Sequence, residues 1–129
     1  MADDPLPRLR RICLALPEVT ERLSHGAPTF FVRDKKTFVT VWSEGHHGDR
    51  FAHLWCAAPP GAQEELLETE PDRFFRPPYV GHRGWLGVRL DAGIDADELA
   101  AICEEAYRVV APRRLVEALD AERDQRERR

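Results

Sequence analysis

The chain has few cysteines, no long apolar run and no excess of positive charge, and each shortage closes off a class of protein. Cysteine occurs three times, at Cys13, Cys56 and Cys103, far apart and among apolar neighbours. An odd, unpatterned set does not build a disulfide framework and suits a reducing compartment. Each is expected to serve as a small buried hydrophobe. No segment is long and apolar enough to span a bilayer, and the N-terminal MADDPLPRLRR lacks an apolar stretch of signal-peptide length. A cytoplasmic protein with no membrane partner is therefore expected. With 23 acidic against 19 basic residues the formal charge is −4, low for a domain that coats nucleic acid.

What is present is one domain's worth of chain. Its 129 residues, 43% of them hydrophobic, suffice for an ordinary core. Charge is unevenly spread. Acids crowd Glu64 to Asp72 and Asp91 to Glu105, whereas Arg73 to Arg89 carries four arginines and no acid. Within that basic region Phe74 to Leu90 reads FFRPPYVGHRGWLGVRL, with two prolines, three glycines and alternating apolar residues. It predicts a turn feeding a strand over Trp85 to Leu90. Local field decides how a polyanion docks, so the acidic total weakens a nucleic-acid reading without closing it.

Taken in order, Asp4-Pro5 opens a first helix whose apolar face is Leu6, Leu9, Ile12, Cys13 and Leu16, ended by Pro17. Glu18 to Pro28 reads as a loop or a short turn of helix. Strands are expected over Thr29 to Val32, Thr37 to Trp42 and Phe51 to Cys56, the first two joined by the basic tip Arg33-Asp34-Lys35-Lys36. A turn over Ser43 to Asp49 separates the second and third. After Pro59-Pro60-Gly61 comes a short helix with an acidic outer face. Asp95 and Glu98 form a capping box for a long helix carrying Leu99, Ile102, Cys103, Ala106, Val109 and Val110. Pro112 starts a last helix, and the charged residues 121–129 are expected to fray from a domain spanning 1–120. The class is α+β: a single domain, an antiparallel sheet with helices packed on it.

No residue set reaches a catalytic signature, and neither an enzyme nor a cofactor is expected. His46-His47 with His53 and Cys56 is the nearest approach to a metal cluster, but no familiar zinc spacing is present, so no metal is expected. Cys56 and His53, three apart on a strand, face opposite sides, a poor arrangement for a nucleophile and its base. Gly81, Gly84 and Gly87 stand in the wrong order for a phosphate-binding fingerprint. Tyr79 and Trp85 beside Arg76, His82 and Arg83 suit a surface where a ring stacks on a base while guanidinium groups hold phosphate. The same aromatics also suit a core, with the arginines solvated or paired to the acidic helices.

At these residues the chain resembles the small bacterial MmcQ/YjbR proteins. The likeness runs through Leu16-Pro17 with Glu18 to Glu21, Gly26-Ala27-Pro28-Thr29-Phe30 and Lys36-Thr37-Phe38. It continues through Pro77-Pro78-Tyr79, Gly84-Trp85-Leu86-Gly87-Val88 and Glu105-Ala106-Tyr107. The resemblance implies an α+β domain of the double-wing type, in which a sheet and its hairpins meet DNA, and it brings no catalytic residues. The expected function is weak DNA binding through phosphate, with Arg33, Lys35 and Lys36 at the hairpin tip and Arg76, His82 and Arg83 beside the Trp85 strand. Tyr79 and Trp85 would stack or line a pocket. The alternative is a module that binds a protein or a small anionic ligand without catalysis.

Overall fold

The computed structural model describes residues 4–46 and 51–128. The first helix, α1 (Leu6–Leu14), is followed by strands β1 (Val19–Ser24), β2 (Ala27–Val32), β3 (Lys36–Trp42) and β4 (His53–Cys56). Next come helix α2 (Ala62–Thr69), the two-residue strand β5 (Phe74–Phe75), a 3-10 turn over Gly81–Arg83 and strand β6 (Leu86–Arg89). Helices α3 (Ala96–Val110) and α4 (Arg113–Glu127) close the chain. The six strands form one sheet in the order β1-β2-β3-β4-β6-β5, every neighbouring pair antiparallel. This is the α+β architecture expected from the residue pattern.

Local chemistry explains most boundaries. The Asp4 carboxylate accepts a hydrogen bond from the Leu6 N–H at 3.0 Å and so caps α1. Asp95 does the same for α3, accepting from the Glu98 N–H at 2.8 Å. Strand β1 corrects the loop-or-helix expectation for Glu18 to Pro28. All six of its residues pair with β2, from Val19 opposite Val32 to Ser24 opposite Ala27. The turn between them is His25-Gly26, with φ of 52° and 80°, the two positive values that a tight hairpin turn needs.

A bulge in β3 matters for the face the sheet presents. Thr40 lies opposite Thr29 and Val39 opposite Phe30, but Thr37 lies opposite Phe31, leaving Phe38 as the extra residue. Phe38 is fully buried, its ring edge-on to Tyr107 of α3 at 5.7 Å. The bulge thus lets Thr37 and Thr40, an odd and an even position, look out on the same side.

Helices α1, α3 and α4 cover one face of the sheet. Leu9, Phe30, Val41, Leu54, Leu99, Tyr107 and Leu115 are buried there, and the Tyr107 hydroxyl donates to the Pro17 carbonyl at 2.8 Å. Helix α4 runs on to Glu127, through the charged segment expected to fray. Arg123 pairs with Glu104 and Arg108 with Asp120, tying α4 to α3. Among the described residues no helix is long and apolar enough to cross a membrane.

Candidate functional site: the open face of the sheet

Residues opposite one another in adjacent strands share a face. One row therefore crosses all six strands on the side away from the helices: Arg22, Thr29, Thr40, Trp55, Gly87 and Phe75. The segment from Arg76 to Gly84 returns over this face and walls off a cleft of about 730 Å³. Trp42, Trp55, Tyr79, Trp85 and His46 supply its aromatic walls, and Ser24, Thr29, Thr37 and Thr40 supply hydroxyls. His25 and Val80 complete the rim with Gly45. No carboxylate, lysine or arginine is among these lining residues.

The aromatic groups form a contiguous cluster. The Trp42 and Trp55 ring centroids are 5.0 Å apart, and His46 packs against both at 4.4 and 4.8 Å. Tyr79 stands 6.1 Å from His46 and 6.4 Å from Trp55. The indole N–H groups of Trp42 and Trp55 are buried and have no hydrogen-bond partner among the described residues. An unmet buried donor of this kind costs about 1–3 kcal/mol.

The covering segment is fixed from below. Gln63, buried at the start of α2, donates its amide N–H groups to the carbonyls of Gly81 at 2.9 Å and Trp85 at 2.5 Å. Gly81 lies so close to the Arg76 side chain that a Cβ would stand 2.7 Å from Arg76 Cγ. Tyr79 holds φ at 65° and is 72% exposed, so its ring stands at the mouth of the cleft.

The expected site residues divide three ways. Arg33 is engaged, with its Nε 3.7 Å from Glu18. Lys35, Lys36, Arg76, His82 and Arg83 are all exposed, and among the described residues no carboxylate pairs with any of them. The strand directions carry both groups to one end of the sheet: the tip precedes β3, and Arg83 and Arg76 flank the start of β6 and the end of β5. Only β4 separates β3 from β6, a span of about 10 Å at usual strand spacing. Trp85 is the correction. At 5% exposure its ring offers no free face for stacking and serves as cleft wall. Arg83 lies over that ring, 5.4 Å from its centroid.

Trp42, Trp55 and the four hydroxyl residues were not singled out in the sequence, and His46 was weighed only as a metal ligand. Their signal was the alternation of Thr40 with Trp42 and of His53 with Trp55, which reads equally well as core. Of the histidine–cysteine set, His47 lies outside the described residues. His53 is buried with Nδ1 3.0 Å from the Phe51 carbonyl oxygen. Burial pushes the Cys56 thiol well above its ordinary pKa. The Cys103 side chain, followed by burial, does the same for Cys13. Among the described residues no group of three or more His, Cys, Asp or Glu is placed to hold a metal ion.

Comparison with known proteins places this architecture. The family model described as YjbR matches residues 14–109. The chain belongs to the YjbR family. The match begins at the last residue of α1 and takes in the whole sheet and nearly all of α3, so the cleft lies entirely within the family domain. A similar solved structure is the crystal structure of the Deinococcus radiodurans protein DR2400, a DUF419 domain. Its TM-score is 0.69 at 19% identity, over 84% of this chain and 79% of that one. The likeness is one of fold, over most of both chains. No curated protein matches the chain.

Proposed function

We propose that this YjbR-family domain is a non-catalytic binding module that holds DNA weakly through its phosphates, with Lys35, Lys36, Arg76, His82 and Arg83 as the contacts. The observation that carries this reading is that these five side chains, from two separate segments, stand exposed at one end of the sheet with no carboxylate paired to them among the described residues. Unpaired cations are the ones that release counterions from a phosphate backbone when they bind. Arg33, held by Glu18, is an auxiliary contact at most. Helices α3 and α4, with their acids, pack against the opposite face of the sheet, so the net charge of −4 is a poor guide to the field at these side chains.

The absence of catalysis in this reading rests on the buried, raised thiol of Cys56 and on its position across the strand from His53. The same reading places the protein in the cytoplasm, where its three buried free thiols stay reduced. The concavity of the open face favours a second reading, a small ligand held in the cleft. An anionic ligand would draw its countercharge from the rim, since the lining residues include no lysine or arginine.

Titration of the protein with single-stranded and duplex DNA at about 50 and 200 mM salt tests the phosphate reading. Affinity is expected to fall steeply with salt, and each of Arg76→Ala and Arg83→Ala to lower the salt slope by about one. Absence of binding by micromolar protein at the lower salt would overturn it.

A further inference from the structure

We infer that the cleft on the open sheet face receives an unstacked heteroaromatic base, so that the protein prefers single strands or nucleotides over duplex. The inference rests on the phosphate reading above and adds to it what lies beside the phosphate.

Three features point to a base. The first is shape: a cleft of about 730 Å³ is concave, and a base inside a duplex, covered on both faces and paired at its edge, cannot enter it. A base freed from its stack can. The second is the wall chemistry. Tyr79 stands exposed at the mouth, with His46, Trp42 and Trp55 stepping inward at centroid spacings of 4.4 to 6.4 Å. The exposed Tyr79 ring stacks on any base because every base has a π face, and half-buried Trp42 and His46 with buried Trp55 wall the space behind it. Facing them are the hydroxyls of Ser24, Thr29, Thr37 and Thr40, which donate and accept.

The third feature is where charge lies. The lining residues carry no carboxylate, lysine or arginine, which suits a neutral heterocycle, while the unpaired guanidinium of Arg83 sits over Trp85 of the same cleft. A ligand that is uncharged at one end and anionic at the other matches this arrangement. A neutral sugar would satisfy the rings and hydroxyls but leave Arg83 and Arg76 unused.

Isothermal titration of the full chain tests the inference with four probes: adenosine 5′-monophosphate, a short oligothymidylate, a duplex of equal length and a neutral disaccharide. Tyr79→Ala is the main variant, since a 72% exposed ring is not needed for folding. The Arg76→Ala/Arg83→Ala double variant is the second. The single strand is expected to bind at least tenfold more tightly than the duplex, and Tyr79→Ala to weaken it about tenfold while leaving the duplex unchanged. Binding of the mononucleotide as tight as that of the oligomer supports the inference and identifies a free nucleotide as the source. If duplex and single strand bind equally and both ignore Tyr79→Ala but weaken in the double variant, the base inference is overturned and the phosphate reading survives. Binding of the disaccharide alone, or of no probe at all, overturns both.

Discussion

Gly87 sits beneath the Phe75 ring, and a Cβ there would fall inside van der Waals contact of three ring carbons. Phe75 is half-buried against Phe51 and His53, with centroids 5.8 and 5.2 Å away, so it has little room to give. Gly87→Ala should therefore destabilise the fold by about 1–3 kcal/mol. At Gly81→Ala the nearest atoms belong to the flexible, exposed Arg76 side chain, so the change should cost under about 1 kcal/mol, a contrast that urea unfolding would resolve. Tyr107 carries a second residue-scale prediction. Burial, ahead of the nearby carboxylate of Glu18, pushes its pKa from 10.0 to about 12. A phenol whose folded pKa is raised contributes stability fully below the unfolded value and loses it as pH climbs through the folded one. Wild-type stability should thus fall between about pH 10 and 12, beyond any global alkaline trend, and Tyr107→Phe should flatten that fall. At neutral pH the same variant, lacking the bond to Pro17, should be about 1 kcal/mol less stable. An alkaline limb equally steep in both proteins would contradict this account.

Among the elements, those with a strong period or a strong cap were legible from residues alone. The Asp95 cap (its Glu98 partner turns to Arg73 instead of closing the box), the proline-bounded α2 and the two-sided β3 each agree with their local chemistry. Strand β1 was not legible, because Thr20, Glu21 and Arg22 carry no apolar alternation. It is an edge strand made by pairing, and the usable clue was the His25-Gly26 turn. The Phe38 bulge was hidden for a similar reason: an extra residue shifts the period, so Thr37 and Thr40 seem to belong to opposite faces. Helix α4 shows charge misleading in the other direction. Beyond residue 120 it is held by the Arg123–Glu104 and Arg126–Glu122 pairs rather than by buried apolar surface. Exposed pairs contribute little, about 0–1 kcal/mol each. Deleting residues 121–129 should therefore remove about two turns of helical circular dichroism while lowering the unfolding free energy by less than about 1–2 kcal/mol. A larger loss would mean that the end of α4 is part of the core.

At the scale of the molecule, the sheet separates two environments. One face is sealed by α1, α3 and α4, and the other carries rings, hydroxyls and, at one end, cations with no carboxylate paired to them among the described residues. The stretch of arginines and aromatics drew attention in the sequence for sound reasons, yet it supplies only the lid of the cleft. Its floor comes from β2, β3 and β4, whose Trp42 and Trp55 had no neighbouring polar signal to set them apart from core residues. A binding face assembled from separate strands is visible only once their register is known. The central claim is that this open face is where the protein meets its ligand. An amide and indole N–H nuclear magnetic resonance titration with oligothymidylate reads it directly, because only Trp42, Trp55 and Trp85 contribute indole signals. The indole N–H resonances of Trp42 and Trp55 and the amides of Thr40 and Tyr79 should move, while those of α3 and α4 stay in place. Shifts confined to α3 and α4, with both cleft indoles unmoved at saturation, would contradict the account.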